Sequence, residues 1–192
     1  LSIRRQRQMC IRDRVIRDNS QPEADSAAQP AYDSLTGLPG RLVFEDRLAH
    51  ALALARRSNR PLAVLQVSLE NLPELQSSLT PELGSALVQA AGQRLDDALR
   101  SSDTIARWEP DTFSLLAENL DASGSARTIA RKILAALEVP FIVGGEPVCL
   151  EACLGGCVYP TGWQDSGGLL DASRAALALA RALGRRGYYL VE

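Results

Sequence analysis

Lysine is almost missing from this 192-residue chain: Lys132 stands alone, and arginine carries the rest of the positive charge. Aromatic residues make up 5%, and His50 is the one histidine. With 21 basic against 23 acidic residues the net charge is −2, so no basic excess marks a nucleic-acid binder. No apolar run approaches the ~20 residues needed to span a bilayer, and the N-terminus shows no signal-peptide hydrophobic stretch. One histidine leaves no partner pattern for a triad, and His50 reads as a surface or boundary residue of the first helix. Four cysteines without a framework spacing fit a reducing, cytoplasmic setting. What is present is a 46% hydrophobic composition, enough for one domain with a full core and a short extension.

The first fourteen residues, LSIRRQRQMCIRDR, read as foreign. Arg4 to Arg14 can be encoded by the transposon-tagging oligonucleotide used in sequencing libraries, so residues 1–14 are treated as translated adaptor. The competing reading is a natural basic tail. Removing the segment takes away five Arg and one Asp and leaves 16 basic against 22 acidic residues, a clearly acidic balance of −6. Residues 15–32, rich in Asp, Ser, Gln and Pro, read as a linker.

From Asp33 onward the pattern is that of an α/β (α+β) domain, residues 33–192. Leu42, Phe44, Leu48, Leu52 and Leu54 give Arg41 to Arg57 helical spacing. Pro61 opens a buried strand, Leu62 to Val67. Asn71 to Gln76 is a short amphipathic turn or helix. Pro81 starts a long helix to Leu99 with Leu83, Leu87, Val88, Ala91 and Leu95 on one face. Asp103–Arg107 and Phe113–Ala117 form a hairpin about the turn Trp108–Thr112. Ser123 to Leu137 is a helix. Phe141–Val143 and Val148–Tyr159 form a second, longer hairpin. Leu169 to Leu183 is a helix stopped by Gly184, and Tyr188 to Val191 is a last strand. Helices alternating with strands predict one sheet covered by helices. Cys149, Cys153 and Cys157 share one face of a predicted strand. Four residues of strand span about 13 Å, so the three cannot hold one metal, and they read as core thiols. Trp108 and Trp163 read as packing residues beside hairpins.

The segment Asp33-Ser-Leu-Thr-Gly-Leu-Pro-Gly-Arg41 resembles the opening signature of GGDEF domains, the diguanylate cyclase family. Further pieces follow in family order: the strand ending at Ser68, Gly84, Arg100-Ser-Ser-Asp103, Ile105-Ala-Arg107, Cys153-Leu-Gly155 and Gly184-Arg185. The resemblance implies a five-stranded, mostly antiparallel sheet flanked by helices, related to nucleotide-cyclase and polymerase palms. It also implies the joining of two GTP molecules into cyclic di-GMP by two facing domains. In active members Mg²⁺ neutralises phosphate charge and activates the attacking hydroxyl.

Mg²⁺ asks for carboxylate oxygens in tight octahedral geometry. The family supplies one at the end of the first strand and another in the hairpin that names it. Here the first position is Ser68, and the hairpin reads Glu109-Pro110-Asp111-Thr112-Phe113. Asp111 survives, but Thr112 replaces its acidic neighbour. Glu70 lies about 6–7 Å beyond Ser68 along an extended strand, too far to replace the lost carboxylate without backbone movement. Pro110 removes a glycine's freedom and an N–H donor, and Glu109 adds negative charge where phosphate should lie. The family's phosphate-contacting Lys falls on Pro73, and its guanine-reading Asn and Asp fall on Gln76 and Ser85. Its late Lys and Arg fall on Arg181 and Arg185, which are either phosphate-binding or a solvated helix-end pair. No intact catalytic set, no metal site and no resident cofactor are expected.

Arg100-x-x-Asp103 matches the family's inhibitory site for cyclic di-GMP. Arg offers two donors to guanine O6 and N7, and Asp accepts from guanine N–H groups. The competing reading is a helix-terminal Arg followed by a strand-capping Asp. The chain is therefore expected to be a degenerate GGDEF domain acting as a regulatory or receptor module in cyclic di-GMP signalling. The alternatives are a nucleotide-free dimerisation or interaction scaffold and a GTP-sensing allosteric domain using Arg181, Arg185 and Asp111. The stretch Ile133 to Phe141 and the run Gly155 to Pro160 resemble GGDEF domains fused to an EAL phosphodiesterase domain. Such a fused or associated neighbour, an upstream sensor and a homodimer are the expected partners. Contact of this domain with nucleic acid or membrane is not expected.

Overall fold

A computed structural model describes residues 31–191 except 122–123, 161, 164 and 185–186. The adaptor segment and nearly all of the linker, residues 1–30, lie outside the described residues. Ala31 and Tyr32, read as the end of the linker, already pair with the domain: Gly40 N–H donates to the Ala31 carbonyl, and Tyr32 bridges Pro39.

The elements in chain order are α1 (Arg41–Ser58), β1 (Leu62–Leu69), α2 (Leu72–Ser78), α3 (Pro81–Ala98), β2 (Thr104–Glu109), β3 (Thr112–Ala117), α4 (Gly124–Glu138), β4 (Phe141–Val143), β5 (Glu146–Val148), β6 (Ala152–Tyr159), α5 (Ser166–Leu183) and β7 (Tyr188–Val191). The main sheet has the order β2-β3-β1-β6-β7, antiparallel except for the parallel β6–β7 pair. Five strands and a mostly antiparallel ladder are what the resemblance implied. No helix among the described residues is long and apolar enough to cross a membrane.

β1 is central and buried along its whole length, which explains its near-continuous apolar run. Its alternate residues serve two layers. Ala63, Leu65, Val67 and Leu69 pack into the core with Leu87, Val88, Ala91 and Leu95 of α3 and Ala130, Ile133 and Leu137 of α4. Leu62 and Val64 pack with Phe44, Leu48 and Leu52 of α1 and Leu169 and Leu170 of α5. The same alternation puts Gln66 and Ser68 on the α1/α5 face, opposite Ser114 and Thr112 of β3. All four are buried.

β6 lies so close under α5 that a Cβ on Gly155 would sit 1.9 Å from the Leu177 backbone nitrogen. Glycine there is a packing requirement rather than a turn device. Arg94 of α3 ties down the end of α4: its guanidinium donates to the carbonyls of Ala136 (3.3 Å), Val139 and Pro140 and lies 3.5 Å over the Phe141 ring. A cation at these carbonyls complements the negative end of the helix.

Four expectations need correction. The second hairpin is short, β4 with β5 alone; the chain then breaks at 149–151, and β6 leaves to pair with β1. A single run of apolar residues from Val148 hid this break, because periodicity cannot show which partner a strand takes. Cys149 consequently lies outside β6 and is exposed, whereas Cys153 and Cys157 are buried core thiols. Burial pushes the Cys157 thiol up to about 12, against a smaller opposing effect from the Val64 backbone. Trp108 sits in β2 rather than in a turn. It packs edge-on to Phe44, with the Arg41 and Arg174 guanidinium groups 4.9 and 5.2 Å from its ring centre. Trp163 lies against Gly168 at the start of α5 rather than beside a hairpin, and it is 36% exposed. His50 is exposed on α1.

Candidate functional site

Two places could carry function, and they lie at opposite ends of the β2–β3 hairpin. Five strand residues separate Asp103 from Glu109, roughly 17–20 Å of extended chain.

At the turn end, β1 finishes beside the residues Glu109 to Thr112. Ser68 is the cross-strand partner of Thr112 on one side and of Cys153 on the other. The Leu69 N–H donates to the Asp111 carbonyl at 2.9 Å, so the turn is stitched to the end of β1. Asp111 is half-buried, and its Oδ1 accepts from the Thr112 hydroxyl at 3.0 Å. A residue that the family makes acidic here serves as a hydrogen-bond donor to Asp111.

Arg181, in the last turn of α5, comes down onto this floor. Its Nε donates to Glu70 Oε1 at 2.7 Å, and a terminal nitrogen donates to the Ser68 hydroxyl. Ser68 is fully buried, and the Glu70 side chain is 19% exposed. Glu70 lies just past the last residue of β1, where its N–H bonds the Glu151 carbonyl. The guanidinium therefore spans the gap between Ser68 and Glu70 that the sequence implied. Arg181 is thus a helix-end cation, 44% exposed, that is already paired within the domain. Arg185 lies outside the described residues.

This donor set does not fit Mg²⁺. The strand-end position offers a hydroxyl already bonded to a guanidinium, the nearby carboxylate is paired with the same cation, and Asp111 is partnered by Thr112. No group of three or more His, Cys, Asp or Glu among the described residues could hold a metal ion.

The turn is also braced from behind by a contact the sequence reading missed. Arg107 of β2 donates from one terminal nitrogen to both Asp33 oxygens (3.1 and 3.3 Å) and from the other to the Pro110 carbonyl at 2.8 Å. Asp33 in turn accepts from the Thr36 N–H and hydroxyl. Burial alone would raise the Asp33 carboxyl, but the bonds from Thr36 and Arg107 outweigh it and hold its pKa below the ordinary value. Both residues stood in quoted motifs, but nothing local signals a pairing across 74 positions.

At the other end, Asp103 precedes β2. Its Oδ2 accepts from the Arg100 N–H at 3.0 Å and its Oδ1 from the Glu118 N–H at 3.3 Å, while its own N–H bonds the Arg100 carbonyl. Asp103 thus closes the turn after α3 and pins it to the end of β3. The exposed Arg100 guanidinium has no hydrogen bond or ion pair among the described residues. Each Asp103 oxygen keeps a lone pair for a further donor. Glu118, close by, has its carboxyl raised by burial and by the Asp103 charge, with His50 and Arg47 opposing.

The exposed Gln76 side chain lies 3.3 Å from where a Cβ on Gly84 would sit, and Ser85 is half-buried in α3. Pro73 stands in the first turn of α2, where it offers no charge.

Compared with known proteins, residues 30–187 match the family described as "Diguanylate cyclase, GGDEF domain". The bifunctional diguanylate cyclase/cyclic di-GMP phosphodiesterase MucR of Pseudomonas aeruginosa is 32% identical over 161 residues, 84% of this chain and 23% of that protein. The cyclic di-GMP phosphodiesterase NbdA of the same organism is 29% identical over 154 residues, 80% of this chain and 20% of that protein. The solved GGDEF domain of TpbB, also from Pseudomonas aeruginosa, superposes with a TM-score of 0.81 at 31% identity, covering 84% of this chain and 94% of that one. The chain thus spans about a fifth to a quarter of the length of these two full-length relatives.

Proposed function

Because this chain belongs to the GGDEF domain family of diguanylate cyclases, we propose that it is a catalytically silent member serving as a cyclic di-GMP receptor or regulatory module. The observation that carries the silence is the Arg181 guanidinium bonded to Ser68 and Glu70, where active members need a carboxylate and a metal ion. Phosphoryl transfer depends on that metal to neutralise charge, and the groups here cannot replace it.

The receptor half of the reading is supported at the far end of the hairpin. Arg100 is exposed and unpaired among the described residues, and Asp103 is held rigid by two backbone N–H groups. A fixed acceptor beside a free two-pronged donor suits a guanine edge. Titration calorimetry with cyclic di-GMP and with GTP tests it: heat with the first and none with the second is the expected result.

A second reading is favoured by one observation. Both Asp103 oxygens already serve the turn, so Asp103 has a structural purpose without any ligand. On that reading the domain is a nucleotide-free scaffold, and neither ligand gives heat.

MucR and NbdA carry phosphodiesterase in their names, and this chain spans a minor part of each. Those names support reading this domain as the neighbour of a cyclic di-GMP phosphodiesterase, whose active and inactive arrangements a ligand would bias through its differential affinity for the two. Sequencing genomic DNA past the codon for Glu192 tests the fusion. A stop codon there, with no phosphodiesterase domain beyond, removes it.

A further inference from the structure

We propose that Arg181 is an internal counter-cation: its guanidinium supplies, at the end of β1, the positive charge that a divalent ion supplies in active relatives. By doing so it closes the metal position and fastens α5 to the sheet. This deepens the reading of a silent turn end, and it does not depend on whether cyclic di-GMP binds at the other end.

Three features carry the inference. First, the contact is two-point and long-range: one guanidinium serves a hydroxyl and a carboxylate, 113 and 111 positions away. A planar fork with fixed donors holds such a geometry where a lysine's single ammonium cannot. Second, the Ser68 hydroxyl is fully buried on the α1/α5 face and looks toward α5 because of the period-two alternation of β1. A longer acidic side chain at that position would compete for the same guanidinium. Third, Glu70, Asp111 and Glu151 bring acidic groups to this end of the sheet besides the exposed Glu109, and Arg181 is the ion-pair partner of Glu70. Removing the guanidinium would leave the Glu70 carboxylate and the buried Ser68 hydroxyl without this partner. A carboxylate added at position 68 would then join Glu70 and favour a hard cation from solution.

The full chain, Arg181→Gln and the double variant Ser68→Asp/Arg181→Gln are unfolded thermally in chelator and in rising Mn²⁺, and free Mn²⁺ is followed by its spin-resonance signal. Wild type is expected to melt at one temperature with or without Mn²⁺ and to leave the Mn²⁺ signal unchanged. Arg181→Gln should melt about 2–4 °C lower, with or without Mn²⁺. The double variant should bind Mn²⁺ at least tenfold more tightly than Arg181→Gln. Saturable stabilisation of the wild type by Mn²⁺ overturns the proposal, as does an Arg181→Gln variant that melts like wild type or a double variant that binds Mn²⁺ no more tightly than Arg181→Gln. Cyclic di-GMP synthesis by the wild type would instead defeat the reading of a silent domain, so the two failures are separable.

Discussion

Arg107 and Asp33 sit 74 positions apart and form one rigid joint: a guanidinium nitrogen lies 3.1 Å from Asp33 Oδ1 while its twin holds the Pro110 carbonyl. The opening turn of the domain and the turn of the β2–β3 hairpin are thereby fixed to each other. The Arg107 side chain is 12% exposed and that of Asp33 24%, so water screens the pair weakly.

Breaking that joint should cost stability in a pH-dependent way. Arg107→Ala is expected to lose about 2–3 kcal/mol, since it strands a partly buried carboxylate and frees the turn carbonyl. In the wild type the Asp33 pKa is depressed in the folded state, so its contribution is fully present above the ordinary value of 3.8 and fades as pH falls through the folded value. Denaturant unfolding between pH 3 and pH 6 should show an acid-side loss that is smaller in Asp33→Asn. Equal acid sensitivity of the two proteins would show that the joint is unimportant.

Catalysis is expected to be absent. With Ser68 bonded to Arg181 and Thr112 in an acidic position, no cyclic di-GMP should form from GTP with Mg²⁺ or Mn²⁺. Chromatographic product above a no-protein blank, abolished by Asp111→Ala, would overturn this.

The two residues of the candidate ligand site should separate experimentally. Arg100→Ala removes an exposed, unpaired guanidinium and should leave stability within about 0.5 kcal/mol, yet weaken cyclic di-GMP binding roughly ten- to a hundredfold. Asp103→Ala should weaken binding and also destabilise the fold by about 1–2 kcal/mol, because it strands the N–H groups of Arg100 and Glu118. If Arg100→Ala binds as well as wild type, or wild type gives no heat, the scaffold reading takes over.

Gly155→Ala should be among the most damaging single changes. Its Cβ would meet backbone of α5 at 1.9 Å, which no side-chain adjustment relieves. A loss above about 3 kcal/mol or insoluble protein is expected. A soluble Gly155→Ala protein with wild-type melting would contradict the close β6–α5 approach.

Ser114→Ala, by contrast, should be neutral or stabilising. Gln66 and Ser114 are cross-strand partners, and the Gln66 Nε2 and Ser114 Oγ atoms are buried without hydrogen-bond partners among the described residues. Deleting a hydroxyl that makes no bond removes a desolvation cost of about 1–3 kcal/mol. A loss of more than about 1 kcal/mol in urea unfolding would reveal a partner for that hydroxyl.

The sequence by itself determined most of the elements and the family. Proline at helix starts, glycine after α5, apolar spacing in α1 and α3 and the buried run of β1 are local signals, set by backbone geometry within a few residues. It also marked the positions on which the proposed silence rests, because Ser68, Pro110 and Thr112 carry no carboxylate whatever surrounds them. Strand partnership was decided elsewhere. The run from Val148 to Tyr159 reads as one strand, and only competition between a short hairpin and the open edge of β1 splits it. The use of charge was likewise a matter of tertiary structure. Arg107, Arg181 and Arg100 look alike in the chain, yet one braces a turn, one is drawn onto Ser68 and Glu70, and one is exposed without a partner among the described residues. A charged group's role depends on which opposite charge the fold brings within a few ångströms, since both attraction and desolvation act at that range. Those distances are set by how the sheet and helices pack, and residue spacing along the chain carries no record of them.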